Sequence, residues 1–100
     1  MKIAASSYSF SQYINDGRLT QFDCIAKAKD LGFDAIEFVD FLTPKGTDPL
    51  DYAKALREEC ERLEMPVSNF TVGAELLHPS TTLEEEIQRV KSMVDLAAAL

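Results

Sequence analysis

Apolar residues recur every three or four positions in three segments of the chain. This spacing is typical of a helix with one buried face, and it predicts helices at residues 20–31, 49–64 and 82–100. The three apolar sets are Phe22, Ile25, Ala28 and Leu31; Ala53, Leu56, Cys60 and Leu63; and Leu83, Ile87, Val90, Val94 and Ala97.

Capping residues stand at the start of each predicted helix. Thr20, Asp48 and Thr82 each offer a side-chain oxygen to the free amides of a first turn. Thr82 together with Glu85 has the form of a capping box. Gly32 follows the first helix and suits the left-handed conformation in which many helices end. These signals support the three helix predictions independently of the apolar spacing.

A short strand candidate precedes each helix, at residues 2–6, 34–39 and 67–72. A shift of 32 residues places Glu37 over Asn69, so the strands recur at one period. Repeated strand-helix units give parallel strands, because each helix must return the chain before the next strand begins. The predicted fold class is therefore α/β, with about three βα units.

Three parallel strands covered by helices on one face leave the other face open, which parallel sheets rarely tolerate. Two completions are compatible with the pattern: an eight-stranded (β/α)8 TIM-barrel type fold and a doubly wound open sheet. The last helix ends without a cap glycine or a following strand. We therefore expect residues 1–100 to be a single domain. This domain either forms the amino-terminal part of a larger fold or needs a partner, and the partner can be another copy of the chain.

Composition narrows the function classes. The chain has 100 residues, of which 46% are hydrophobic and 27% charged, and its net charge is −7. No basic stripe is present, so nucleic acid is not an expected partner. The first ten residues are too short to span a bilayer and alternate like a strand, which predicts a cytoplasmic protein with no membrane partner. Cys24 and Cys60 lack metal-site spacing and are expected to be reduced core thiols.

Glu37 is the most unusual residue, because it lies in the middle of an otherwise buried strand. Side chains alternate along a strand, so Ile36 and Phe38 are predicted to pack under helices while Glu37 faces the opposite way. The same alternation places Val67, Asn69 and Thr71 together on one face of the third strand. Two interpretations remain open for Glu37: a ligand contact near the strand's carboxyl end, and a carboxylate satisfied by a neighbouring Arg, Lys or backbone amide.

Asn69, which matches Glu37 by the 32-residue shift, is a further candidate for substrate binding, and so are three other residues. Tyr8 and Phe10 lie in a long predicted loop after the first strand and can line the mouth of a site, although packing at the sheet rim explains them equally well. His78, the only histidine, follows the third strand and can act as an acid, a base or a metal ligand. No complete catalytic motif is visible in the chain.

The segments KIAASSYSF, AKDLGFDAIEF and LEMPVSNFTVG resemble the opening of the sugar phosphate isomerase/epimerase family, the xylose isomerase-like barrels. The resemblance implies a (β/α)8 barrel that acts on a sugar or sugar phosphate. It also implies a divalent metal (Mn²⁺, Mg²⁺, Co²⁺ or Zn²⁺), held by residues of later strands and placed on no residue of this chain. Glu37, by resemblance, contacts the substrate at the barrel mouth.

The implied reaction is metal-assisted proton transfer next to a carbonyl, with the main catalytic strands beyond Leu100. Two alternatives stay open. One is a non-catalytic half-barrel module that binds a ligand or a copy of itself through its uncovered sheet face. The other is an abasic-site endonuclease of a related branch, against which the net negative charge argues.

Overall fold

A three-stranded parallel sheet forms the centre of the protein. The computed structural model describes residues 1–74, 76–77 and 80–100. The strands are β1 (Ala4–Ser6), β2 (Ala35–Val39) and β3 (Val67–Thr71), and they lie side by side in the order β1-β2-β3. The α/β class and the parallel strands predicted from the sequence are confirmed.

The helices are a 3-10 turn (Ser7–Phe10), α1 (Ser11–Asn15), α2 (Asp23–Asp30), α3 (Pro49–Arg62) and α4 (Leu83–Ala99). The last three correspond to the three predicted helices. The segment after β1 was expected to be a loop, but it forms two short helices, which are too short to show an apolar period. None of the helices in the described part of the chain has the length and apolar character needed to cross a bilayer.

Two of the three predicted capping residues, Asp48 and Thr82, are the N-caps of α3 and α4, whereas the N-cap position of α2 is Phe22, which makes no side-chain cap bond, and Thr20 lies in the turn before the helix. Thr20 Oγ1 accepts a hydrogen bond from the Asp23 amide (3.1 Å), and the Asp23 carboxylate accepts one from the Thr20 amide (2.9 Å). The side chains of Asp48 and Thr82 accept bonds from amides in the first turns of α3 and α4. Gly32 has φ +88°, which is the left-handed conformation that favours glycine. Local residues therefore determine where α3 and α4 begin and where α2 ends.

The hydrophobic core lies between one face of the sheet and helices α2 and α3. Ile36 and Phe38 of β2 are fully buried there, together with Ile25 of α2 and Leu56 of α3. This placement confirms that the large side chains of β2 pack under helices. Burying each such side chain contributes about 1.5–3 kcal/mol, so this layer supplies much of the driving force for folding.

Both cysteines belong to this core, as predicted. Cys24 and Cys60 are free thiols buried on the inner faces of α2 and α3. Burial raises the pKa of each thiol to about 11, and nearby acidic residues add to the effect. Because the thiolate is the reactive form, neither cysteine is activated as a nucleophile.

Helix α4 packs against α3 but leaves much of its apolar surface uncovered. Leu96 is buried, and so is Glu86, which is paired with Arg89 (2.5 Å). The Arg89 guanidinium also donates to the carbonyl oxygen of Gly73, which ties α4 to the segment after β3. Three of the predicted apolar positions are exposed: Leu83, Ile87 and Val94.

Candidate functional site

Polar side chains from all three strands form a row across the open face of the sheet. Strand register places Ser6 of β1 beside Glu37 of β2, and Glu37 beside Asn69 of β3. Each strand contributes one residue, so parallel pairing alone brings the three together. The pairing of Glu37 with Asn69 agrees with the 32-residue period in the sequence.

Hydrogen bonds connect this polar row around the Glu37 carboxylate. Asn69 Nδ2 donates to Glu37 Oε2 (2.5 Å) and to Thr71 Oγ1 (3.1 Å). Thr71 Oγ1 donates to the same carboxylate oxygen (3.2 Å). Ser6 also bonds Glu37 through its hydroxyl, which in turn accepts a bond from the Tyr8 amide (3.2 Å). We refer to Ser6, Glu37, Asn69 and Thr71 as the polar row.

These donors keep Glu37 charged. The pKa of Glu37 lies below its ordinary value, chiefly because the Ser6 and Asn69 side chains donate hydrogen bonds to the ionised form. Partial desolvation acts in the opposite direction, and Thr71 adds a smaller lowering effect. A carboxylate has about four acceptor positions, so three protein donors leave room for one more.

Neutral side chains, rather than a cation, satisfy Glu37. The ion pairs found among the described residues join arginines to other acids, and none of them includes Glu37. The interpretation that an Arg or Lys side chain pairs with Glu37 therefore has no support among the described residues. The half-buried carboxylate faces the open side of the sheet, where a ligand has access.

A β-bulge in β3 changes one predicted position. Ile36 pairs with Val67, but the next residue of β2, Glu37, pairs with Asn69, so Ser68 is the extra residue. Val67 consequently packs against the hydrophobic core, and the prediction that it shares a face with Asn69 is wrong. The Ser68 hydroxyl donates to Asn69 Oδ1 (2.8 Å), which helps to hold the amide toward Glu37.

Gln21 is a structural residue of the site that the sequence did not indicate. Its side chain is 1% exposed and supports the turn that follows β2. Gln21 Nε2 donates to the carbonyl oxygen of Asp40 (2.7 Å), while Oε1 accepts from the Leu42 amide (3.0 Å) and from the Tyr52 hydroxyl (3.4 Å). Asp40 has φ +54°, an uncommon conformation for a residue other than glycine. The buried amide thus holds Asp40 in place at the end of β2.

The remaining substrate-binding candidates have different positions. Tyr8 is 70% exposed at the carboxyl end of β1, near the polar row. Phe10 is buried and belongs to the hydrophobic core, so its position is that of a packing residue. His78 lies outside the described residues. Tyr8 is therefore the aromatic candidate that reaches the rim of the sheet.

Two depressions flank this region. A cavity of about 250 Å³ lies at the carboxyl ends of β1 and β2, where Tyr8 and Asp40 are among its lining residues. A larger groove of about 670 Å³ lies between α3 and α4 and extends to Val67 at the start of β3. Binding sites of parallel βα folds form at the carboxyl ends of the strands, so position favours the smaller cavity.

The described residues do not supply a site for the divalent metal that the family resemblance implies. Within residues 1–74, 76–77 and 80–100, no group of three or more His, Cys, Asp and Glu side chains lies close enough to share an ion. Glu37 has no second acidic partner in the polar row, and its neighbours donate hydrogen bonds to it. Among the described residues, the row therefore combines one carboxylate with neutral hydroxyl and amide groups.

The fold and this site define an α/β protein whose open sheet face carries a charged, hydrogen-bonded carboxylate. No protein-family model matches the chain, and no curated protein matches it at a significant level.

Proposed function

We propose that the chain forms the first βα units of a (β/α)8 barrel that isomerises or epimerises a sugar or sugar phosphate. The polar row would then face the barrel interior. The observation that supports this proposal is the row itself, since three consecutive parallel strands each place a polar residue at the same level of the uncovered face. Inward-pointing residues of barrel strands are arranged in such layers.

Glu37 has the role of a substrate-orienting residue in this proposal. Its lowered pKa keeps it an acceptor, and it can take a hydrogen bond from a sugar hydroxyl in the position that Ser6, Asn69 and Thr71 leave free. A hydrogen bond to a charged acceptor is stronger than one between neutral groups. The reaction class, proton transfer next to a carbonyl, comes from the family resemblance, and the groups that carry it are expected on strands beyond Leu100.

A titration of the ¹⁵N-labelled chain with D-ribulose, followed by NMR, tests this role. We expect saturable shifts of the amide signals of Ser6, Glu37 and Asn69 at millimolar sugar. Glu37→Gln should weaken binding by about tenfold or more, because an amide is a poorer acceptor than a carboxylate. Glu58→Gln, on the exposed side of α3, is the matched control and should bind like the unmodified chain.

Equal affinity in Glu37→Gln and the unmodified chain would contradict the proposal. The 100 residues are expected to bind the sugar without converting it. Interconversion of ketose epimers with added Mn²⁺ or Mg²⁺, lost in Glu37→Gln, would show that the chain is catalytic by itself.

A second candidate function is a half-barrel module that binds a copy of itself. The observation that favours it is the apolar surface on α4, where Leu83, Ile87 and Val94 are 49%, 39% and 64% exposed. Uncovered apolar side chains on one helix face are typical of contact surfaces.

A further inference from the structure

The 250 Å³ cavity at the carboxyl ends of β1 and β2 combines polar groups with an apolar wall. We call it the mouth cavity. Its polar lining residues include Tyr8, Ser11, Asn15 and Asp40, and its apolar lining residues are Ile14, Val39 and Leu42. A volume below the roughly 300–1,000 Å³ of drug-sized pockets suits a small ligand or one end of a larger one.

Among the described residues that line the mouth cavity, Asp40 is the only charged one, and none is Lys or Arg. The Asp40 carboxylate makes no hydrogen bond or ion pair with another side chain in the described ranges. It is exposed and held in its left-handed conformation by the buried Gln21. Residues kept in uncommon backbone conformations cluster at ligand sites.

The mouth cavity lies close to the polar row. Val39 lines the cavity and follows Glu37 by two residues on the same face of β2, which corresponds to about 7 Å along a strand. The Tyr8 amide also bonds the Ser6 hydroxyl of the row. The mouth cavity and the polar row therefore adjoin each other along β1 and β2.

We propose that the mouth cavity is a second binding subsite, in which Asp40 accepts hydrogen bonds from the hydroxyl groups of an uncharged polyol or sugar end. This inference rests on the proposed function, since it assigns one end of the sugar to this corner of the sheet. A phosphate group would face the Asp40 carboxylate without a basic partner, and like charges repel. Any phosphate of the substrate is therefore directed away from β1 and β2.

Titration of the ¹⁵N-labelled chain with xylitol and, separately, with inorganic phosphate tests the subsite. Xylitol should shift the Tyr8 and Asp40 signals saturably, and phosphate at equal concentration should not. Asp40→Asn should weaken xylitol binding by about fivefold or more, because the amide is a weaker acceptor and yet tolerates the left-handed conformation. Asp51→Asn, on exposed α3, is the matched control. Ser11→Ala changes the same cavity without altering a strained residue and should also weaken binding.

Saturable phosphate binding in the cavity, or unchanged xylitol affinity in both Asp40→Asn and Ser11→Ala, would overturn the subsite. The two proposals fail separately. If Glu37→Gln weakens sugar binding and the cavity variants do not, the subsite is wrong and the role of Glu37 stands. If the cavity variants alone weaken binding, the subsite stands and the role of Glu37 in the proposed function is wrong.

Discussion

Glu37 shows how a carboxylate is accommodated on a sheet face without a cation. Three neutral donors from β1 and β3 surround it, and they stabilise the charged form more than partial desolvation destabilises it. The donors come from residues far apart in sequence that the strand register aligns. Sequence alternation is sufficient to predict which way Glu37 faces, but its partners depend on register.

The first prediction concerns the titration of Glu37. Because hydrogen bonds lower its pKa in the folded chain, Glu37 stabilises the fold above its unfolded pKa, and this contribution is lost as the pH falls through the lower, folded pKa. Asn69→Ala removes one donor and should raise the pKa of Glu37. The side-chain ¹³C signal of Glu37, followed from neutral to acidic pH, measures this shift.

Gln12→Ala, which removes an exposed amide from α1, is the control and should leave the Glu37 titration unchanged. The free energy of unfolding should also depend less on pH in Asn69→Ala over the same acidic range, since less of the pKa difference between folded and unfolded chains remains. An unchanged Glu37 midpoint in Asn69→Ala would mean that the hydrogen bond across β2 and β3 does not form in solution.

The positions of two residues, Gln21 and Val67, cannot be predicted from the sequence pattern. Gln21 gives no pattern signal, because a single glutamine near a helix start is ordinarily exposed, and only the tertiary fold closes the turn after β2 around it. Val67 was assigned to the wrong face because a strand pattern of period two cannot reveal a bulge, which depends on pairing with the neighbouring strand.

At the scale of elements, the sequence predicts best those helix ends that depend on a few adjacent residues. The caps at Asp48 and Thr82 and the helix end at Gly32 depend on a few adjacent residues, and all three are present, whereas α2 begins three residues after the predicted cap Thr20. The short helices after β1 were missed, since one or two turns give too few positions for a period. The exposed stripe of α4 could not be foreseen, because apolar spacing indicates a helix face but not what covers it.

The second prediction tests the α4 cap with neighbouring threonines. Thr82→Ala removes the oxygen that accepts from the Glu85 amide (3.1 Å) and should lower the free energy of unfolding by about 1 kcal/mol. Thr81→Ala is the matched control, because Thr81 is also exposed and its hydroxyl bonds the Thr82 carbonyl oxygen (3.4 Å) rather than a first-turn amide, and its effect should stay within about 0.5 kcal/mol. Urea denaturation of both variants provides the measurement, and equal losses would contradict the cap assignment.

At the scale of the whole molecule, the sheet has one face covered by α2 and α3 and one face that carries the polar row. Parallel sheets are ordinarily covered on both faces. Helix α4 adds an apolar stripe, since Leu83, Ile87 and Val94 are partly exposed. Within the proposed barrel, further strands and helices would cover both surfaces; in the 100 residues alone, another copy is available to do so.

The third prediction is therefore that the 100-residue chain self-associates through α4. Light scattering at micromolar concentration should give a dimer or larger assembly. The double variant Ile87→Lys with Val94→Lys places two charges on the apolar stripe and should shift the mass toward the monomer, because burying unpaired charges is costly. Gln88→Lys puts the same side chain on a different, exposed side of α4 and should leave the assembly intact. A monomeric unmodified chain, or an assembly that persists in the double variant, would exclude the α4 stripe as its contact surface.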